Sequence, residues 1–91
     1  MLEFSWNNNK NDLLKQTRNI SFEEISEKLQ NDEILKIINN PSPRYPHQKI
    51  FLIEINDYIF MVPYMQWSNK IFLKTIIPSR KYTKLYLGGK K

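Results

Sequence analysis

The chain contains no cysteine, two glycines and one histidine, His47. Without cysteine there is neither a disulfide framework nor a thiolate metal site. With one histidine, a zinc site would need carboxylates for its remaining ligands, and no such cluster stands in the sequence. The two glycines, Gly88 and Gly89, are adjacent, so there is no glycine-rich phosphate loop. Paired catalytic carboxylates and a nucleophile elbow are missing too. No run of 18 apolar residues occurs, which leaves no membrane span. The opening Met1-Leu2-Glu3-Phe4-Ser5-Trp6 carries an acid and lacks the positive start and apolar block of a signal peptide, so a cytoplasmic location is expected.

What is present is an uneven distribution of charge. Residues 1–34 hold four basic groups (Lys10, Lys15, Arg18, Lys28) against seven acidic ones. Residues 35–91 hold ten basic groups against two acids, Glu54 and Asp57, within a chain of net charge +5. A small chain whose basic half is interleaved with aromatics points to a polyanion, of which RNA or DNA is the usual case. At 91 residues and 41% hydrophobic content the sequence suits one domain, 1–91, around one modest core.

The periodicities predict the elements. Leu2, Phe4 and Trp6 alternate with Glu3 and Ser5, the pattern of a short half-buried strand. A first helix is expected from about Asn8 to Gln16, ended by Asn19. Ser21-Phe22-Glu23-Glu24 is a capping box that opens a second helix burying Phe22, Ile25 and Leu29. Ile34 to Ile38 reads as a strand, and the proline-rich segment 39–47 reads as a loop. Lys49 to Ile55 and Tyr58 to Met65 read as a hairpin turning at Asn56-Asp57. Pro63 lacks an amide donor, so its strand is expected to be an edge or to carry a bulge. Lys70 to Ile77 is the last strand, and Ser79 caps a final helix, Arg80 to Leu87. The expected fold is α+β: a small antiparallel sheet with two N-terminal helices and one C-terminal helix.

The opening Phe4-x-Trp6-x-x-x-Lys10, then Leu14-Lys15, then Ile20-Ser21-Phe22-Glu23-Glu24, resembles the start of BrnT-family toxins. The segment Lys74-Thr75-Ile76-Ile77-Pro78-Ser79-Arg80-Lys81 resembles the passage from the last strand into the last helix of the same family. The resemblance implies a RelE-like fold. It also implies an endoribonuclease toxin of a type II toxin–antitoxin pair, with RNA, a cognate antitoxin and the ribosome as partners. One departure stands out: the family usually carries Lys-His-Gly before Ile-Ser-Phe, and here those positions are Thr17-Arg18-Asn19.

Cleavage of RNA without a metal or other cofactor requires a base for the 2′-hydroxyl, cations to offset charge on the phosphorane and an acid for the leaving 5′-oxygen. A pair of histidines is excluded. The catalytic candidates are therefore Arg80, at the start of the last helix where a phosphate is favoured, together with Lys10, Arg18 and His47. Candidate RNA contacts are Arg44 and Tyr45 in the proline loop, Tyr64, Trp67 and Tyr82 as stacking groups, and Lys81 and Lys84 as phosphate contacts. Glu54 is expected to pair with a strand lysine such as Lys74. The alternative is a module that binds RNA or the ribosome without cutting.

Overall fold

In the computed structural model, which describes residues 2–45 and 48–88, local chemistry sets the helix boundaries. Helix α1 (Asn8–Arg18) starts where the Asn7 Oδ1 accepts the Lys10 amide at 2.9 Å. It stops at Asn19, which adopts the left-handed conformation (φ 54°) and donates its amide to the Leu14 carbonyl. Helix α2 (Phe22–Gln30) begins at the predicted cap, the Ser21 hydroxyl accepting the Glu24 amide at 3.2 Å. A second device joins the two helices. The buried Asn11 of α1 accepts the Phe22 amide through its Oδ1 and donates through its Nδ2 to Glu23, each at 2.8 Å. One side-chain amide from α1 thus satisfies an orphan donor at the start of α2.

The strands are β1 (Glu3–Ser5), β2 (Lys36–Asn39), β3 (Lys49–Ile55), β4 (Tyr58–Trp67), β5 (Lys70–Leu73) and β6 (Ile77–Pro78), followed by α3 (Arg80–Leu87). They form one six-stranded sheet in the order β1-β5-β4-β3-β2, with β6 also paired to β4. The β3–β4 turn has Asn56 and Asp57 both at positive φ (54° and 63°), as a primed hairpin turn requires.

The expectation of a small antiparallel, RelE-like sheet does not hold. The first strand lies parallel to β5, Glu3 opposite Lys70 and Ser5 opposite Phe72, so the sheet is mixed and larger than expected. A three-residue strand carries no sequence mark of its partner or direction. Its position is fixed by Phe4 and Trp6 packing on the core beside Phe22, whose ring stacks on Trp6 at 5.7 Å.

The expected final strand also divides in two. Tyr64 pairs with Leu73, whereas Met61 pairs with Ile77, so three residues (Lys74, Thr75, Ile76) span a gap that β4 crosses with two. Pro63 sits opposite this bulge, in an interior strand and not at an edge. Its carbonyl accepts the Lys74 amide at 2.8 Å. In an antiparallel ladder a residue's N and O point to the same side, so the missing donor of Pro63 faces the place where the ladder is already broken.

The core is divided by the sheet. On the α1/α2 side, Leu14, Phe22 and Ile25 pack against Phe51, Ile53, Val62 and Leu73. On the other side α3 lays Leu87 and Tyr82 over Ile50, Leu52, Ile59 and Met61. Among the described residues no helix is long and apolar enough to cross a membrane.

Candidate nucleic-acid interface

Strand register assigns side chains to faces. Ser5, Phe72 and Met65 form one row across β1, β5 and β4; Glu3, Lys70 and Trp67 form the next. Both rows lie on the α3 side of the sheet, because Met65 and Trp67 continue the alternation that puts Ile59 and Met61 under α3. Helix α3 covers the Ile59 half of β4 and leaves this half open. Trp67 is 53% exposed, and Met65 and Phe72 are only partly buried. The Lys74 ammonium lies 5.8 Å from the centre of the Phe72 ring.

Beside Phe72 the sheet edge opens into a groove of about 520 Å³ lined by Asn7, Asn9, Lys10, Leu13, Phe72 and Lys74. It exists because β1 ends at Ser5 and the chain turns away into α1, while β5 runs on to Leu73. Lys10 and Lys74, from opposite ends of the sequence, therefore share one groove. The first turn of α1 carries no acid, so its dipole adds to the lysine field there. Stacking surfaces rimmed by lysines are what a single-stranded nucleic acid uses: bases on the rings, phosphates on the ammonium groups.

The candidates predicted from sequence are dispersed. Lys10 lines the groove. Arg18, though largely exposed, donates its Nη1 to the Ile76 carbonyl at 2.7 Å, tying the end of α1 to the bulge. Arg80 is exposed at the first position of α3, and it is not among the groove's lining. That helix start is anchored at Ile59, which accepts the Ser79 amide and donates its own to the Thr83 hydroxyl. Ile59 and Trp67 stand eight residues apart on β4, about 26 Å at strand rise, so Arg80 and Trp67 serve opposite ends of the sheet.

Lys81 lies 5.6 Å from the ring of its neighbour Tyr82, which packs into the α3 core. Lys84 is on the exposed side of α3. Arg44 and Tyr45 are exposed in the proline loop, where the Ser42 hydroxyl accepts the Arg44 amide. His47 lies outside the described residues. Tyr64 is on the opposite face, its ring stacked on Phe51 at 3.9 Å. Burial there pushes its phenol above the usual range. Glu23, at the start of α2, is the other displaced group. The Asn11 side-chain hydrogen bond, followed by its own backbone amide and Lys15, holds its carboxyl below the usual range.

Sequence reasoning missed Met65, Lys70, Phe72 and Lys74 as site residues. The signal was present in Lys70-Ile71-Phe72-Leu73-Lys74, where period two places both lysines and the phenylalanine on one side. Register sets the expected partners Glu54 and Lys74 apart. Glu54 pairs across the hairpin with Ile59, whereas Lys74 lies alongside Pro63, four residues further along the strand. No cluster of three potential metal ligands occurs among the described residues. Compared with protein-family models, curated proteins and solved structures, the chain shows no match.

Proposed function

We propose that the chain is a BrnT-type toxin: a cytoplasmic endoribonuclease that works through cationic and aromatic side chains and is silenced by a cognate antitoxin covering its basic face. The observation that carries the reading is the meeting of Lys10 and Lys74 in a groove beside Phe72, next to the exposed Trp67. A strand laid over Trp67 and Phe72 would stack its bases there and bring a phosphate to the two ammonium groups. As the 2′-oxygen attacks phosphorus and the bond to the 5′-oxygen breaks, these cations offset the charge that accumulates on the phosphoryl oxygens. The motif series from Phe4 through Arg80 supports the same assignment.

The test is to induce the chain alone, beside Lys10→Ala/Lys74→Ala and Arg80→Ala. Growth arrest with fragmented RNA, relieved by the double substitution, is the expected result. Relief by Arg80→Ala alone would move the chemistry to the start of α3. Normal growth and intact RNA from folded protein would overturn the ribonuclease.

A second reading, binding without cleavage, is favoured by Arg18. The Nη1 of its guanidinium is held by the Ile76 carbonyl, and an arginine at this position cannot act as the imidazole base that the family's histidine would supply. Labelled RNA that shifts on a gel yet stays intact through long incubation would establish that reading.

A further inference from the structure

A second pocket lies on the other face of the sheet, where α1 and α2 do not extend. It has a volume of about 330 Å³ and is lined by Lys49, Tyr64, Gln66 and Ser68. Lys49 opens β3 and stands directly opposite Tyr64 in the β3–β4 ladder. Gln66 is two residues on, on the same face, and Ser68 holds the following turn at φ 57°. None of the four lining residues is acidic.

Tyr64 is the unusual member. The residue is 3% exposed, its ring seated on Phe51, yet its hydroxyl has no hydrogen-bond partner among the described residues. Every described polar side-chain atom that is sealed from solvent does have a partner. The Tyr64 hydroxyl therefore reaches the pocket, at the end of a side chain that is otherwise enclosed. Burying a ring this deeply with its oxygen unpartnered among the described residues gains nothing from them for the fold, since the same ring without the oxygen would pack equally well. A phenol is protonated through neutral pH, and burial raises its pKa further, so the oxygen offers a proton and no negative charge.

We propose that Lys49, Tyr64, Gln66 and Ser68 form a binding pocket for a phosphate group. The Tyr64 hydroxyl and the Lys49 ammonium would be its principal donors, with the Gln66 amide and Ser68 hydroxyl completing the shell. Among the described lining residues donors dominate and the one formal charge is positive, which matches a group with several anionic acceptor oxygens. The phosphate is either free or part of a nucleic-acid strand, and the pocket's chemistry stands whether or not the chain cuts RNA.

Titration of the full chain with inorganic phosphate, followed by amide NMR at constant ionic strength, tests the pocket. Saturable shifts confined to Lys49, Tyr64, Gln66 and Ser68 are expected. Tyr64→Phe keeps the ring on Phe51 and removes only the oxygen, and it should weaken binding about tenfold. Gln66→Ala, at an exposed position, should weaken it less. A 5′-phosphorylated trinucleotide that displaces phosphate identifies a strand as the source; if only free phosphate occupies the site, the source is a small phosphate, and either result supports the pocket. Leu85→Ala, exposed on α3 and away from the pocket, should leave phosphate binding unchanged. Shifts that sodium chloride reproduces, or equal phosphate affinity in Tyr64→Phe, would overturn the proposal.

Discussion

On the side of the sheet that carries α1 and α2, Phe22, Ile25, Ile53, Val62, Leu73 and Ile76 have no exposure at all. On the other side α3 seals Leu52 and Ile59 in the same way, but one strand length away Trp67 is 53% exposed beside Met65 and Phe72. The side chains are comparably apolar; what differs is whether a helix lies over them. Covered residues gain the free energy of leaving water, whereas the uncovered aromatics gain little from folding. Their presence on an open face that carries Lys10, Lys70 and Lys74 is what the proposed nucleic-acid contact rests on.

Four experiments break or sharpen that comparison. The largest effect belongs to the covered face: Phe22→Ala should cost about 3–5 kcal/mol in urea unfolding. A cost near that of a surface substitution would remove the distinction between the faces. Next is Arg18→Met, which leaves the Ile76 carbonyl without its donor and should cost about 1–3 kcal/mol. If stability were unchanged while RNA cleavage stopped, Arg18 would belong to the site and not to the bulge. Third, Trp67→Ala should change stability by no more than about 0.5 kcal/mol, yet weaken single-stranded RNA binding by about 1–3 kcal/mol. Lys10→Ala should lower the slope of log affinity against log salt by about 0.7, measured by fluorescence titration.

The smallest effect is electrostatic and lies away from both faces. Because the Glu23 carboxyl is held low in the folded chain, its contribution is present above the unfolded carboxylate range. It is lost as pH falls through the lower folded value. Thermal melts of the chain and of Glu23→Gln should therefore differ at about pH 6 and converge toward about pH 3. A difference that does not vary with pH would assign the effect to the Asn11 hydrogen bond alone.

Elements whose signals are local were legible from sequence. The Ser21 cap, the Asn56-Asp57 turn and the Ser79 cap each satisfy backbone groups within a few residues, and each stands where it was expected. Sheet composition was not legible, because the parallel pairing of β1 with β5 depends on residues at opposite ends of the chain. The bulge was hidden for a related reason. Pro63 announces a missing donor, but only the register shift between Leu73 and Ile77 shows that its partner strand, not its own, is interrupted. Of the site, Lys10 and Trp67 were readable as a lysine near a helix start and an aromatic in a turn. Lys74 was assigned to the wrong neighbour, since face and row follow only from register.

The parallel pairing of Glu3–Ser5 with Lys70–Phe72 has a consequence for how the protein is made. As the chain leaves the ribosome, its first strand has no partner until β5, far along the sequence, has emerged. The α1–α2 pair can form early; the groove between Lys10 and Lys74 cannot. A chain cut before β5 would lack the groove, so the site waits on a pairing between segments far apart in sequence.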